Sequence, residues 1–489
     1  MNKLIPAPEK FELLSSEQYG YTAADAERIF DENLPYEGYR LRADGDGLKI
    51  YCSSDVGYFY GKVTAEWLSA DGKMPHAEIL DRPVFGYRGF MIDTARHFFP
   101  VETLLNRIEV AARLKLNVFH WHLSDDQGWR AQIEAYPKLT EIGSFRTDTR
   151  GDGKPVKGFY TKEDMRKVVE FAAERHVSVL PEIDFPGHMS AAIAAYPSLS
   201  CDGKEIAVKD SFGIHENVLC AGKETSYRFI DTVIDELSEI FPFKYFHIGG
   251  DEALRLKWLE CEDCQRKIAE EDLADEEELQ AYMMNRAAEK LAEKGKTAIV
   301  WNDGMKGENI SESIVMQYWK ESPDYLNRAV SAAKAGAKIL FSPFSAYYFD
   351  YPYGMTPLKK TFKFNPVPKG VPERSVLGVE CELWTEYVTD EATLDKRLYP
   401  RIAATAERGW SKFHTDYDDF KLRLTAAYNM FDNLGVKYAT INEADPNPVA
   451  GLKELFKFGI NALDGTLIES FKRLKLNKKR LKEKYSRKR

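Results

Sequence analysis

The sequence predicts an α/β protein: a (β/α)8 TIM barrel preceded by a small α/β domain and followed by a helical C-terminal extension. From Tyr87 onward, short apolar runs alternate with amphipathic helical patterns, which is typical of parallel α/β architecture. Eight such runs favour a barrel, and a doubly wound sheet is the alternative topology. The predicted strands cover residues 89–92, 118–123, 177–183, 245–248, 298–301, 313–318, 338–341 and 377–383.

The domain boundaries follow from length and local pattern. A chain of 489 residues exceeds the size at which a single hydrophobic core stops growing. Residues 1–83 form the predicted small domain, with a hairpin at 39–42 and 48–51 and a helix at 57–69. Residues 84–415 form the barrel. Residues 416–489 form the extension, in which 417–434 is a helix and the Lys/Arg-rich tail 471–489 is a solvated terminal helix; binding to an anionic surface or RNA is the alternative.

Composition narrows the class of protein. The net charge of −9 argues against a nucleic-acid partner, and no stretch is long and apolar enough to span a bilayer. The first residues contain no long apolar run, so we expect a cytoplasmic location. The six cysteines do not form a disulfide scaffold. Cys261 and Cys264 form a C-x-x-C motif, but Cys201 and Cys220 are a poor second ligand pair, so the motif predicts two reduced thiols in an exposed insertion at 260–278, with no metal and no cofactor.

The segment Phe246-His247-Ile248-Gly249-Gly250-Asp251-Glu252 is the strongest candidate site. An apolar run stops at two glycines, which leave room for close approach of a backbone or ligand, and two acids follow. Parallel α/β folds place their chemistry at the carboxyl ends of strands. The alternative is a solvated turn or a helix N-terminus that favours carboxylates.

Polar and aromatic residues also follow each of the seven remaining predicted strands. This pattern favours an arrangement in which these side chains converge on one mouth of the barrel. Carboxylates bind hydroxyl groups, and indoles stack on the apolar faces of sugars, so this combination predicts glycoside hydrolysis. A metal site built from His120, His122 and the acids is the second interpretation. The segments after the remaining strands begin at Asp93, His120, Glu182, Trp301, Gln317, Tyr347 and Glu382.

Several long blocks of the chain resemble glycoside hydrolase family 20, the β-N-acetylhexosaminidases. The resemblance runs in order over residues 87–410, and the module before it is similar to the family's small α/β domain, although shorter. The blocks are YRGFMIDTARHFFP, KLNVFHWHLSDDQGWR, PEIDFPGHMSAA, FHIGGDEA, ELWTEYV and YPRIAATAERGWS.

The resemblance assigns roles to individual positions. It implies that Glu252 is the general acid, that Asp251 orients the 2-acetamido group of the substrate, and that Tyr348 hydrogen-bonds the acetamido oxygen. His188 with either Asp125 or Asp126 matches a pair that tunes the acid. The positions matched to sugar hydroxyls are Arg88, Asp350 and Glu386, and those matched to the pocket walls are Trp301, Trp319 and Trp384.

The resemblance also implies the reaction. We expect an exo-acting retaining hydrolase that removes terminal β-linked N-acetylglucosamine or N-acetylgalactosamine, with the substrate's own acetamide as nucleophile and an oxazolinium intermediate. The alternatives are a lacto-N-biosidase, a hydrolase of sulfated N-acetylglucosamine, and a sugar-binding barrel without catalysis. The expected partner is a small oligosaccharide or glycoconjugate, with neither nucleic acid nor membrane, and homodimer formation is left open.

Overall fold

A computed structural model describes residues 3–147, 153–411, 416–462 and 466–486. The strands are β1 Lys10–Tyr19, β2 Glu27–Phe30, β3 Tyr39–Asp44, β4 Gly47–Cys52, β5 Met74–Asp81, β6 Tyr87–Asp93, β7 Val118–His122, β8 Ser124–Asp125, β9 Gly128–Trp129, β10 Phe145–Arg146, β11 Val156–Lys157, β12 Ser178–Glu182, β13 Tyr245–His247, β14 Thr297–Trp301, β15 Val315–Tyr318, β16 Ile339–Phe341 and β17 Val376–Cys381.

Helices cover most of the chain between and after these strands. They are α1 Asp55–Leu68, α2 Val101–Arg113, α3 Lys138–Glu141, α4 Lys162–Ala173, α5 Ser190–Ala195, α6 Glu224–Ser238, α7 Leu256–Glu260, α8 Glu262–Glu270, α9 Glu276–Glu293, α10 Pro323–Ala335, α11 Phe344–Tyr347, α12 Leu358–Lys363, α13 Glu391–Leu398, α14 Arg401–Trp410, α15 Tyr417–Asn433, α16 Ile441–Ala444, α17 Pro448–Ala462 and α18 Thr466–Ser486. Short 3-10 helices occur at Ala23–Asp25, Pro197–Leu199 and Glu373–Ser375.

Eight parallel strands close into a barrel in the order β6-β7-β12-β13-β14-β15-β16-β17. Each of them overlaps one of the eight predicted strands, and the pairing of β17 with β6 excludes the open, doubly wound sheet. Helix α2 shows why the pattern was informative: its apolar face, with Leu104, Ile108 and Ala111 buried, packs into the core around the barrel. The (β/α)8 prediction is confirmed.

The small domain is a five-stranded sheet in the order β1-β5-β3-β4-β2, with α1 beside it. The predicted hairpin is β3 and β4, and the predicted helix is α1, whereas β1, β2 and β5 were not predicted. This domain meets the barrel through buried charges. Asp81 lies 2.8 Å from Lys115 Nζ and accepts a hydrogen bond from Trp410 Nε1 at 2.7 Å.

The helical extension packs on the barrel. In α15, the predicted helix, Arg423 forms a buried ion pair with Glu407 of α14 at 2.7 Å. The predicted terminal helix is α18, and most of its described side chains are exposed or half-buried. One face nevertheless contacts the barrel's loops, because Lys484 Nζ lies 2.7 Å from Glu276 and Asn477 is buried. Residues 487–489 lie outside the described part of the chain.

The strand register brings polar side chains together at one end of the barrel. Asp93 pairs with His122, His122 with Glu182, and Glu182 with His247, so these four residues are level across β6, β7, β12 and β13. All four strands are parallel, and these residues are at or next to the carboxyl ends. No helix in the described ranges is both long and apolar enough to cross a membrane.

Candidate active site

The two adjacent acids follow a turn that only glycine can form. After β13 the backbone passes through Gly249 and Gly250 with φ of +64° and +98°. A Cβ on Gly249 would lie 1.7 Å from Asp184 Oδ1, and the N–H of Gly250 donates to that same oxygen at 3.0 Å. The expected close approach is confirmed, and the approaching group is a carboxyl from the end of the neighbouring strand.

Asp251 lies in an almost closed polar pocket. It is 9% exposed, and its Oδ2 is 3.6 Å from Nε2 of His188. Burial and the charge of Asp251 raise the pKa of Asp184 well above its ordinary 3.8, and burial also raises the pKa of Asp251, with His188 opposing that second shift. Asp251 Oδ1 is buried and has no well-aligned hydrogen-bond partner among the described residues.

His188 connects Asp251 to one of the two candidate aspartates. Its Nδ1 is 3.1 Å from Asp125 and 3.5 Å from Asp126. Asp126 accepts a hydrogen bond from the N–H of Ser190 at 2.9 Å, whereas Asp125 also contacts Arg96. Although burial lowers the pKa of His188, Asp125 and Asp251 raise it well above its ordinary 6.5, so the imidazole is protonated at neutral pH. Asp125 is therefore the aspartate that orients His188.

Glu252 points into different surroundings from its neighbour. Its backbone φ is +50°, and its N–H donates to Asp303 Oδ2 at 3.2 Å. The side chain is 22% exposed, and Oε1 is 3.5 Å from Lys320 Nζ. Burial raises the pKa of Glu252 above its ordinary 4.5; Lys320 opposes this shift, and the charges of Asp251 and Asp303 add to it. A carboxyl with a raised pKa and a partly open path to solvent suits a general acid.

The four predicted aromatic residues stand around this pair. Tyr348 stacks on Trp319 with 5.8 Å between ring centroids and lies 6.3 Å from Trp384, whose ring centre is 5.9 Å from Trp301. Trp301 is fully buried and donates from Nε1 to Glu182 at 2.8 Å. The four aromatic rings therefore form a continuous wall and floor beside Asp251. The structure brings them together, as the sequence predicts.

Asp350 and Glu386 lie on a second side of the mouth. Burial and the charge of Glu386 raise the pKa of Asp350 well above 3.8, and its Oδ1 has no hydrogen-bond partner among the described residues. Burial also raises the pKa of Glu386, with Arg96 opposing the shift. These two carboxyls and the guanidinium offer acceptors and donors to hydroxyl groups.

The assignment of Arg88 is wrong. Arg88 lies at the amino end of β6, is fully buried, and donates to both carboxylate oxygens of Glu37 in the small domain at 2.9 and 3.1 Å. Arg96, which follows the carboxyl end of the same strand, is the arginine at the mouth. It lies 2.7 Å from Asp125 and 4.9 Å from the ring centre of Trp384.

Sequence reasoning also missed three residues that hold the catalytic turn. They are Asp184, Asp303 and Lys320. Asp303 accepts from Trp319 Nε1 at 3.0 Å and lies 2.7 Å from Lys320 Nζ. Asp184 and Asp303 both follow predicted strands, so their position at a strand's carboxyl end is the signal that could have found them.

Among the described residues, five groups bring three or more possible metal ligands together, and two of these groups bear on the sequence predictions. Beneath the mouth, Glu182 is hydrogen-bonded by Trp301 and His122, and lies 3.1 Å from His120 and 2.9 Å from His247. These groups contact one another and form a polar floor, in which Nε2 of His120 and Nε2 of His247 have no well-aligned hydrogen-bond partner among the described residues. The second group corrects the expectation for the cysteines: the Sγ atoms of Cys201, Cys220, Cys261 and Cys264 all lie within 4.8 Å of one another, so Cys201 and Cys220 do complete a set with the C-x-x-C motif.

The barrel, its acid pair at one strand end and its aromatic mouth define the class of glycoside hydrolases built on a (β/α)8 barrel. The family model of the glycosyl hydrolase family 20 catalytic domain matches residues 85–413. The chain belongs to that family.

Relatives and solved structures agree with this membership. A β-hexosaminidase of Porphyromonas gingivalis is 39% identical over 83% of this chain, and one of Akkermansia muciniphila is 32% identical over 86% of this chain and 88% of its own length. The chain spans 55% of the length of the Porphyromonas relative. A β-N-acetylhexosaminidase structure from Bacteroides fragilis aligns with a TM-score of 0.81 at 30% identity, covering 91% of this chain and 99% of that one.

Proposed function

We propose that this chain is an exo-acting retaining β-N-acetylhexosaminidase that removes terminal β-linked N-acetylglucosamine or N-acetylgalactosamine with the help of the substrate's own acetamide. The observation that carries this proposal is the contrast between the two neighbouring acids. Glu252 is partly exposed with a raised pKa, whereas Asp251 is enclosed by His188 and Asp184. One acid faces the leaving group, and the other faces a polar arm of the sugar.

The surroundings of the acids argue against a protein nucleophile. A double-displacement glycosidase needs a second free carboxylate about 5 Å from the acid. Asp303, which lies beside Glu252, has its oxygens occupied by Trp319, Lys320 and the N–H of Glu252. Asp251 is enclosed beside His188, and in the proposed complex the acetamide N–H donates to its carboxylate.

The proposed reaction has two steps. Glu252 donates its proton to the glycosidic oxygen while the acetamide oxygen attacks C1; the C1–O bond breaks, the aglycone leaves as an alcohol, and an oxazolinium forms. Asp251 stabilises the positive charge that develops on the acetamide nitrogen, and the Tyr348 hydroxyl, whose pKa burial raises well above 10.0, donates to the acetamide oxygen. Water then attacks C1 as Glu252 takes its proton, which opens the ring with retention.

The test compares aryl β-glycosides with and without the 2-acetamido group. Aryl N-acetyl-β-glucosaminide should be hydrolysed, and the matched β-glucoside should be nearly inert, because the nucleophile is missing. A thiazoline analogue of the cyclised intermediate should inhibit far more tightly than N-acetylglucosamine. Covalent labelling of an Asp or Glu by a 2-fluoro glycoside would show a protein nucleophile and overturn the mechanism.

A further inference from the structure

Four cysteines that are distant in sequence meet beside the catalytic turn. Cys201 follows the 3-10 helix Pro197–Leu199, and Cys220 precedes α6. Cys261 is the residue immediately before α8, and Cys264 lies in its first turn. Two loops, one after β12 and one after β13, therefore each supply a pair of thiols to a single point.

The spacing of the sulfur atoms fits a tetrahedron. Measured between Sγ atoms, Cys220 lies 3.6 Å from Cys264 and 3.7 Å from Cys261, and Cys201 lies 3.9 Å from Cys264. Four sulfurs at about 2.3 Å from a central zinc ion would be about 3.8 Å apart. A disulfide needs about 2.05 Å between its sulfurs, and none of these three pairs approaches that distance.

The backbone around the cluster is arranged for this close approach. A Cβ on Gly222 would lie 2.2 Å from the carbonyl carbon of Asp263 and 2.3 Å from the N of Cys264, so only glycine lets the two loops meet here. The N–H of Cys220 donates to Leu199 O at 2.8 Å, and this hydrogen bond holds Cys220 close to Cys201, which follows Leu199 by two residues. The cluster is thus held by interactions other than those among the thiols.

The charges also suit a metal bound by four thiolates. Such a centre carries a net charge of −2 with a divalent ion. Lys223 places its ammonium at the cluster's edge and donates to Ser200 O at 2.7 Å and Cys201 O at 3.2 Å. Cys220 and Cys264 are buried, and Cys201 and Cys261 are partly exposed, which gives the ion a path of entry.

We propose that Cys201, Cys220, Cys261 and Cys264 bind one zinc ion that fastens the two loops together. A set of four thiolates prefers zinc and leaves no coordination position open for water, so the ion is structural. Each thiol gives up its proton to solvent on binding, and no redox step is involved.

The proposed zinc ion lies between the segment that follows the catalytic turn and the loop that precedes α6, so it would have a structural role. Helix α7 joins the catalytic turn to Cys261, and its Trp258 is fully buried and donates from Nε1 to Leu219 O, next to Cys220, at 2.9 Å. Helix α18 contacts the same region, where Arg480 lies 3.4 Å from Glu260. The zinc ion would hold the segment after Glu252 against the loop that begins near His188, and so keep the mouth in shape.

The test measures metal content of the full chain purified without chelator from zinc-supplemented cells. Elemental analysis should find one zinc ion per chain in the wild type and in the controls Cys52→Ser and Cys381→Ser, whose cysteines are buried but lie outside the cluster. Cys264→Ser should lose the ion. If that variant does not fold, the partly exposed Cys201→Ser replaces it.

Cobalt provides a second readout that does not depend on activity. Exchange of zinc for Co²⁺ should give the thiolate-to-cobalt charge-transfer and visible bands of a tetrahedral tetrathiolate site in the wild type and both controls, and these bands should be absent from Cys201→Ser. Folded wild type without zinc, a mass lowered by two hydrogens for each disulfide, or full zinc content in Cys264→Ser would each overturn the proposal.

Discussion

In the proposed reaction, Glu252 holds a proton at working pH and releases it to the leaving group. Burial, together with the charges of Asp251 and Asp303, raises its pKa, so the active fraction falls as pH rises through that raised value. We expect Glu252→Gln to lose roughly 10²- to 10⁴-fold in kcat/KM on substrates with poor leaving groups, and much less on activated aryl glycosides. Steady-state kinetics on both substrates across pH measures this, and the alkaline limb should disappear in the variant.

Equal losses on both substrate types would mean that Glu252 only maintains structure. The matched control is Glu260→Gln, because Glu260 ends α7 near the mouth and its side chain is exposed. That control should keep its activity and its alkaline limb.

Arg96 and Arg88 stand eight positions apart in one sequence block, but the structure gives them opposite surroundings. Arg96→Met removes the guanidinium beside Asp125 and Trp384, and we expect kcat/KM to fall roughly 10- to 100-fold, as for loss of a hydrogen bond to a charged group. Arg88→Met should leave KM unchanged and lower the urea midpoint instead, because Glu37 and Tyr60 lose their partner. If Arg88→Met instead lowered kcat/KM and Arg96→Met lowered only the urea midpoint, Arg88 would be the arginine of the active site.

The sequence was sufficient for residues whose position follows from a strand's end. Asp251, Glu252 and the tryptophans come directly after apolar runs, so their convergence could be predicted. Arg88 was misplaced because the block contains two arginines, and only the strand direction separates them: Arg88 is five residues before the end of β6, about 17 Å along an extended strand. That distance alone excludes it from the mouth.

At the scale of elements, the turn after β13 is tightly constrained. Gly249→Ala would force a side chain into a positive φ and to within 1.7 Å of Asp184. Since such substitutions cost more than about 1 kcal/mol even without a clash, we expect a lower melting temperature and a large loss of kcat as Asp251 moves. Gly295→Ala is the control, because its φ is +70° but a Cβ would meet nothing within 4 Å.

If both alanine variants lose stability equally and keep kcat, the contact with Asp184 is unimportant.

The helices and strands themselves were predictable from the periodicity of apolar residues, but the way in which the loops pack was not. The loop that holds Cys201 and Cys220 meets α8 beside the neighbouring strands β12 and β13. The predicted barrel makes these strands neighbours, but sequence spacing does not show how the long loops after them fold against each other.

At the scale of the whole molecule, the buried carboxyl of Asp350 in the barrel mouth lowers the free energy of unfolding when it is ionised. Burial and the charge of Glu386 raise the folded pKa of Asp350 well above 3.8. Between pH 3.8 and that raised pKa the folded state binds more protons than the unfolded chain does, so stability falls as pH rises through this interval. Below pH 3.8 the carboxyl is protonated in both states and contributes nothing. We expect Asp350→Asn to melt higher than wild type at neutral pH, with a gain that shrinks on acidification, while kcat/KM falls.

Melting curves at several pH values measure this, with an exposed carboxyl, Asp418→Asn in α15, as the control that shows no such gain. A gain that does not change with pH would mean that the effect comes from packing rather than ionisation.

The same molecule relies on buried charge to join its two domains. Asp81 of the small domain accepts hydrogen bonds from Tyr39, Lys115 and Trp410 at 2.7, 2.8 and 2.7 Å, and Lys115 is only 3% exposed. Removal of one partner from a buried ion pair leaves the other charge uncompensated, at a cost of about 3–5 kcal/mol. We therefore expect Asp81→Asn to lower the free energy of unfolding by about that amount in urea titrations, with kcat/KM unchanged at moderate temperature.

Glu9→Gln is the matched control, because the Glu9–Arg82 pair at the same edge of the domain is largely exposed and such pairs contribute about 0–1 kcal/mol. A loss in Asp81→Asn no larger than in this control would show that the domains are held by their apolar contacts around Tyr60 and Trp410. A loss confined to a separate first transition would show that the barrel survives without its small domain. One cooperative transition at lower urea is the outcome that the buried network predicts, because Lys115 belongs to the barrel and its only carboxylate partner within 4 Å among the described residues belongs to the small domain.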